Sequence, residues 1–151
     1  MKIATFNAKC KKISCQLDID APLLSDFSYG TFIYSSIDGK EIKYYYGLDC
    51  EVWQFIDEIL IEPFGKDHDG EIGTLIQKII GLVADKQNQD AYFTQAIYCP
   101  KCHSKVELID INNKTGFQEY ESLTFNNFLR LTDIEKIKLV NGFMDEFQNK
   151  E

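Results

Sequence analysis

The sequence predicts a single α+β domain over residues 1–151, because segments with strand and helix periodicity occur in separate blocks. Segments within residues 1–46 alternate apolar and polar positions, whereas residues 50–83 repeat apolar positions at helical spacing. A chain of 151 residues is long enough to bury a core. The sequence contains no internal repeat, low-complexity tract or linker rich in Pro, Gly or Ser, so we expect no domain boundary.

The first block predicts two antiparallel β hairpins. Residues 3–7 and 13–20 alternate like strands around a short lysine-rich connection. Residues 29–36 and 41–46 flank Asp38-Gly39, a dipeptide that supplies the positive φ angles of a two-residue turn. We therefore expect strands at all four segments.

Helices are predicted in the middle block and at the C-terminal end. The first spans residues 50–61, behind Asp49 as the N-cap, and stops at Pro63. The second carries its apolar positions over residues 72–83. Between the last two predicted helices, alternation predicts a three-stranded meander from residues 92–98, 106–111 and 117–123.

The third helix begins at a capping box formed by Thr132 and Glu135. Six apolar residues recur along one of its faces, which we expect to be buried. They are Ile134, Ile137, Val140, Phe143, Met144 and Phe147.

The net charge of the chain indicates which classes of partner are favoured and which are not. Asp and Glu number 24 against 16 Lys and Arg, which gives a net charge of -8 and a sequence pI of about 4.8. A surface that neutralises phosphates or anionic lipids would be basic, so nucleic acid and membrane are disfavoured as partners. The excess is concentrated in residues 51–98, where nine acidic residues face three basic ones.

The lengths of the apolar segments and the number of cysteines indicate the cellular compartment of the protein. The N-terminus lacks a signal-like apolar stretch, and the longest apolar segment, residues 72–83, is too short to span a bilayer. Five cysteines are an odd number and fit thiols or thiolates better than a disulfide framework. We expect a cytoplasmic protein in a reducing environment.

The motif with the clearest chemistry is Cys99-Pro-Lys-Cys102, followed by His103. A Cys-x-x-Cys turn places two sulfurs on one side of a tight loop, where they can bind Zn²⁺. A structural site needs four ligands, and the other close pair is Cys10 and Cys15, also predicted near a strand turn. The sequence therefore predicts a structural Zn²⁺ site with these four cysteines as ligands.

The Cys99–Cys102 half resembles a zinc-ribbon knuckle. It differs from the ribbon pattern in that Cys10 and Cys15 enclose four residues instead of two, and in that His103 stands where ribbons have a glycine able to take a positive φ. Three alternatives stay open at this point. They are His103 as a substitute ligand, a dithiol redox pair and buried cysteines without metal.

Enzymatic chemistry has weaker support. Asp67, His68, Asp69 and Glu71 cluster in a glycine-flanked loop that fits no cation-binding pattern and is most simply a solvated connection. Cys50 is most simply a core thiol, although it could be paired with His68 as a nucleophile and base. The sequence has no phosphate-binding loop, nucleophile elbow or zinc-protease helix, so enzymatic activity is disfavoured and we assign no catalytic residues.

The leading hypothesis is a non-enzymatic protein that binds another, basic protein through its acidic middle segment. In general character the chain is similar to bacterial immunity proteins, small acidic inhibitors that neutralise toxins such as nucleases. Four aromatic residues could add a contact patch, namely Phe27, Tyr29, Tyr44 and Tyr46. The predicted partner-binding residues are Asp57, Glu58, Glu62, Asp67, Asp69 and Glu71.

The alternative hypothesis is a zinc-dependent nucleic-acid-binding or regulatory module. It would use the basic residues around the predicted metal ligands. They are Lys9, Lys11, Lys12 and Lys101. A hydrolase or a thiol-redox enzyme is a third class and is less favoured.

Overall fold

The computed structural model describes residues 1–26, 28–48, 50–64, 69–88 and 90–149. Its helices and antiparallel sheets confirm the α+β class. The strands are β1 (Lys2–Cys10), β2 (Asp18–Pro22), β3 (Thr31–Ser36), β4 (Ile42–Tyr46), β5 (Phe93–Thr94), β6 (Val106–Leu108) and β7 (Lys114–Glu119). The helices are α1 (Glu51–Phe64), α2 (Asp69–Val83), α3 (Asn126–Leu129) and α4 (Asp133–Gln148).

Contacts between residues divide the chain into two compact units. The sheet unit comprises Met1–Leu48 and Lys86–Leu123, and the helical unit comprises Asp49–Asp85 and Thr124–Glu151. The single domain expected over residues 1–151 stays a prediction.

The two units differ sharply in charge. The helical unit contains 14 acidic and six basic residues, whereas the sheet unit contains ten of each. The whole net charge of -8 therefore belongs to the helical unit.

Strand β1 is the centre of the larger sheet. Its nine residues pair with β2 on one edge and with both β6 and β7 on the other. Strand β7 takes the N-terminal part of that edge, where Lys2 opposes Glu119, and β6 takes the C-terminal part, where Cys10 opposes Val106. All these pairings are antiparallel.

The smaller sheet has the order β4-β3-β5. The β3–β4 hairpin confirms the second predicted hairpin, with Ile33 opposite Tyr44 in its middle. Tyr34 and Phe93 are fully buried in this sheet, so its core is largely aromatic.

The pairing of the later strands differs from the predicted meander. Within residues 92–98 only Phe93–Thr94 form a strand, β5, which pairs with β3, while β6 and β7 both pair with β1. The predicted pairing of the first two segments is kept at their near ends, where Tyr98 forms an antiparallel bridge with Lys105 and Val106 N donates to Ile97 O at 2.9 Å. The long free edge of β1 has room for both strands, and the cysteine turn at 99–102 ends the alternating segment. Similarly, β2 starts at Asp18 because most of the predicted strand 13–20 lies in the turn that holds Cys15.

The helical unit is built on apolar residues at helical spacing. The buried positions include Ile56 and Leu60 of α1, Ile76 and Ile80 of α2, and Val140 of α4. Helix α1 runs to Phe64 instead of ending at 61, because Pro63 lies in its last turn, where few backbone hydrogen bonds remain to be broken. The predicted N-cap Asp49 lies outside the described residues.

Helix α4 begins at the predicted capping box. The Thr132 hydroxyl accepts a hydrogen bond from Glu135 N at 3.3 Å, and the Glu135 carboxylate accepts one from Thr132 N at 2.8 Å. Its predicted apolar face is less buried than expected. Only Val140 and Met144 are buried on this helix, and Ile134 is 80% exposed.

Within the described residues, no helix combines the length and the apolar character needed to cross a membrane.

Asp85 caps the short helix α3 from a distant point in the sequence. Its carboxylate accepts hydrogen bonds from Asn126 N at 2.8 Å, Asn127 N at 2.9 Å and Asn126 Nδ2 at 2.9 Å. Burial opposes ionisation, but the amide donors outweigh it, so the pKa of Asp85 lies below its ordinary value. Ionised Asp85 therefore stabilises the folded helical unit.

We expect Asp85→Ala to lower the free energy of unfolding by about 1–2 kcal/mol, because the first amides of α3 lose their acceptor. The folded-state pKa is the lower one, so this contribution is complete above the unfolded-state value of about 3.9 and is lost as pH falls through the folded value. Urea unfolding between pH 3 and 7 measures it. The control Glu58→Ala, on an exposed position of α1, should change stability by less than about 0.5 kcal/mol. Equal losses in both variants would contradict the capping role.

Candidate metal centre

Two turns of the sheet unit hold the four predicted ligands. Cys10 ends β1, and Cys15 lies in the turn that leads to β2. Cys99 and Cys102 lie in the turn between β5 and β6. Pairing of β1 with β6 continues into these turns, because Lys11 N donates a hydrogen bond to Lys105 O at 3.0 Å. The register of the larger sheet therefore brings both turns to one place.

The four sulfur atoms form a single cluster. All of them lie within 4.8 Å of one another. The Sγ atoms of Cys10 and Cys102 are 3.3 Å apart, and those of Cys15 and Cys99 are 3.7 Å apart. A disulfide would place two sulfurs at about 2.05 Å, so these are free thiols, as is Cys50.

The cluster has the size of a tetrahedral metal site. Four sulfurs bound at about 2.3 Å around one ion would be separated by about 3.8 Å. The two separations of 3.3 and 3.7 Å and the 4.8 Å limit bracket that value. The four cysteines could therefore bind one metal ion, as the sequence predicts.

The two turns share a backbone feature. The residue after the second cysteine has a positive φ in each, namely Gln16 at 50° and His103 at 59°. His103 thus adopts the conformation for which a ribbon uses glycine, at a cost of about 1 kcal/mol. Its nitrogen donates to Cys99 O at 2.8 Å, which closes the turn. The imidazole of His103 is not among the ligand atoms of the four-cysteine cluster, and its role as a substitute ligand stays a prediction.

Hydrogen bonds outside the cluster fix the cysteines. Cys10 N donates to Leu17 O at 3.0 Å, and Cys99 N donates to Ser104 O at 2.8 Å. Cys10 and Cys99 are buried, whereas Cys15 and Cys102 are half-buried. The cluster is therefore closed on one side and reachable by an ion on the other.

The local environment prepares one thiolate. Hydrogen bonds from the side chain and backbone of Ser104 lower the pKa of Cys102 to about 6. Burial raises the pKa of Cys10 to about 12, although a backbone hydrogen bond from Lys12 opposes this. Cys102 is therefore the thiol of this pair that ionises more readily, and a bound cation would favour ionisation of the others.

The β3–β4 loop supports the cysteine turn from behind. Gly39 has a φ of +70°, and a Cβ atom on it would lie 2.5 Å from Tyr98 O and 2.7 Å from the carbonyl carbon of Cys99. Only glycine fits both the conformation and this close approach.

The loop itself differs from the predicted two-residue turn. It spans residues 37–40, since Ser36 N donates to Glu41 O at 2.9 Å, and Gly39 is its only residue with positive φ. The Asp38 carboxylate stabilises the longer loop by accepting from Ser36 Oγ at 2.6 Å and from Lys40 N at 3.2 Å.

The predicted partner-binding residues are only partly described. Glu58, Glu62 and Glu71 are exposed on α1 and α2, and Asp57 is half-buried. Asp67, His68 and the side chain of Asp69 lie outside the described residues, as does the loop chemistry inferred for them. Cys50 is separate from the cysteine cluster, and its pairing with His68 likewise involves a residue outside the described part.

The basic residues near the cluster are partly neutralised. Lys9 lies 4.0 Å from Asp18, and Lys11 lies 3.8 Å from Glu107. Lys12 and Lys101 are exposed. Among the aromatic candidates Tyr29 is 82% exposed and Tyr46 is also exposed, whereas Phe27 lies outside the described residues.

Ser104 and Gly39 contribute to the site although sequence reasoning did not assign them to it. Ser104 directly follows the motif, and its hydroxyl is a signal that could have been used. Gly39 was identified only as a turn residue, because nothing in the sequence places that turn against Cys99. No protein-family model, curated protein or solved structure matches this chain.

We expect Gly39→Ala to lower the free energy of unfolding of the sheet unit by about 1–3 kcal/mol, because the new methyl group meets backbone atoms at a positive φ. Thermal unfolding, followed by near-ultraviolet circular dichroism, measures the loss. Gly116→Ala is the matched control, since its Cβ would lie 3.8 Å from Thr5 Oγ1, an ordinary contact. A Gly39→Ala protein as stable as the control would show that the close approach to the cysteine turn is absent.

Proposed function

We propose that Cys10, Cys15, Cys99 and Cys102 bind one structural Zn²⁺ ion, and that the protein is a non-enzymatic cytosolic binder of a basic partner protein. The observation that carries the metal assignment is the group of four sulfurs within 4.8 Å of one another. Four thiolates in a tetrahedral arrangement favour zinc over harder cations, which prefer oxygen ligands.

The ligand count supports a structural role. Catalytic zinc sites keep one position for water or substrate, whereas four protein sulfurs fill all positions of a tetrahedral ion. Here the ion would join Cys10 to Cys102 and Cys15 to Cys99, pairs that are 92 and 84 residues apart in sequence. Such a link closes a long loop and adds the metal-binding free energy to folding.

We expect native mass spectrometry to find one Zn²⁺ per chain, and Cys99→Ser or Cys102→Ser to abolish it, because each removes one of four ligands. The same variants should unfold at a lower temperature, with chelator producing a similar change in the wild type.

Cys50→Ser is the matched control, because Cys50 is a free thiol separate from the cluster. It should retain one ion per chain. A metal-free wild type with five reactive thiols would refute the assignment, and so would a Cys50→Ser protein that loses its ion.

Charge distribution supports the proposed partner. All of the net charge of -8 resides in the helical unit, and Glu58 and Glu62 are exposed there. A concentrated negative field steers a basic protein toward one face and raises its association rate. A cationic toxin such as a nuclease is the partner class that this proposal favours.

The alternative of a nucleic-acid-binding module is less well supported. Of its four candidate lysines, Lys9 and Lys11 each lie near a carboxylate, and the sheet unit that carries them has no net charge. Counterion release at phosphates needs uncompensated positive charge.

We expect a variant with Asp57→Lys, Glu58→Lys and Glu62→Lys to lose the basic partner that the wild type captures from a cell extract at low salt. Its association rate with that partner, measured by surface plasmon resonance, should fall by about tenfold or more.

A control variant carries Asp26→Lys, Asp110→Lys and Glu121→Lys in the sheet unit. It has the same net charge of -2 but keeps the acidic helical unit intact. It should associate at a rate close to that of the wild type. Equal slowing in both variants would show that overall charge, and not the helical unit, attracts the partner.

A further inference from the structure

Helix α4 has one side committed to the core of the helical unit. Val140 and Met144 are buried on that side, and the ammonium group of Lys136 lies 5.0 Å from the centre of the Phe55 ring. Because the side chain of Lys136 is only 11% exposed, its charge is directed inward and contributes little to the outer surface.

The side of α4 next to this buried face carries an open groove of about 410 Å³. Leu131, Leu139 and Phe143 supply its apolar lining. Leu139 is 36% exposed and Phe143 is half-buried, so the described chain leaves this lining partly uncovered.

Gly142 also lines this groove. Glycine inside a helix costs stability relative to alanine, and it is usually retained where something must approach closely. A Cβ atom at position 142 would meet no atom within 4 Å in the described structure. Packing among the described residues therefore gives no reason for the glycine, but a helix from another molecule that crossed α4 at this point would.

The charged residues at the rim of the groove favour a positively charged ligand. Glu135 and Glu146 border it, against a single basic residue, Lys138. Hydrogen bonds from Thr132 hold Glu135 in place and lower its pKa, so it is ionised at neutral pH. A second copy of the chain would bring one helical unit of net charge -8 against another, which is unfavourable.

We propose that this groove docks an α-helix of the partner protein, with apolar residues entering between Leu131, Leu139 and Phe143 and with Lys or Arg residues beside the rim. This inference rests on the proposed function, and it locates the contact on α4. Amphipathic helices are commonly bound in this way, and a glycine in the floor allows the two backbones to come closer.

A synthetic peptide tests the proposal with the full chain. The probe is an acetylated, amidated and fluorescently labelled 18-residue helix with leucine along one face and lysine on both flanks. The control peptide replaces every lysine with glutamate. We expect saturable binding of the lysine peptide by fluorescence anisotropy, and at least about tenfold weaker binding of the glutamate peptide.

Two groove variants and one matched control complete the test. Leu139→Asp should weaken binding of the lysine peptide by at least about tenfold. Ile111→Asp, at an exposed apolar position of the sheet unit, should leave binding unchanged. Gly142→Ala should weaken binding by about threefold or more while raising the thermal midpoint by about 2–4 °C, because alanine favours the helix but fills the floor.

Three results would overturn the proposal. They are absence of saturable binding, equal binding by Leu139→Asp and wild type, and unchanged binding by a stabilised Gly142→Ala. Sedimentation velocity adds a fourth, since a dimer that Leu139→Asp dissociates would identify a second copy as the occupant. Any of these four results would leave the proposed function intact under one condition. The variant with Asp57→Lys, Glu58→Lys and Glu62→Lys would still have to lose the basic partner, while the Leu139→Asp protein still bound it.

Discussion

The sheet unit depends on the convergence of four sulfurs from two distant turns. Strand β6 has three residues and pairs with β1 over only three positions, which is little contact for a segment so far along the chain. The cluster lies at the end of that pairing, with the sulfurs of Cys10 and Cys102 3.3 Å apart, so a metal ion bound there would supply the missing constraint. In the zinc-bound protein that we propose, the short ladder and the metal would each fix the geometry that the other needs.

That constraint also explains the unusual backbone nearby. Gln16 and His103 adopt positive φ angles that non-glycine residues rarely take, and Gly39 approaches the carbonyl carbon of Cys99 more closely than any side chain would allow. Strain of this kind persists where surrounding contacts determine the conformation. In the zinc-bound protein that we propose, the tetrahedral ligand set would be such a contact, since each sulfur would have to point to the same centre.

Sequence patterns predicted the site better than the sheet that builds it. The four cysteines near two turns were predicted to converge, because a tetrahedral ion limits the possible ligands to a short list, and their sulfurs do form one cluster. The strand pattern predicted that residues 92–98 and 106–111 are neighbours, which holds only around the Tyr98–Lys105 bridge, because β5 and β6 belong to different sheets. The alternation of apolar and polar residues shows which face of a strand is buried, but it does not show at which sheet edge the strand pairs. The pairing of β6 and β7 with β1 could therefore not be predicted from it. Likewise, the spacing of apolar residues predicted a buried Ile134 that lies in solvent.

The distribution of charge between the two units could not be predicted from the order of residues along the sequence. Counting acidic and basic residues along the sequence placed the excess of acids in residues 51–98. In the structure, the helical unit is formed by two separate segments, Asp49–Asp85 and Thr124–Glu151, and it contains the entire net charge. The sheet unit, with balanced charge, carries the cysteine cluster, where excess carboxylates would compete with thiolates for cations and raise their pKa. In the function that we propose, the sheet unit would hold the metal ion and the negative field of the helical unit would attract the basic partner.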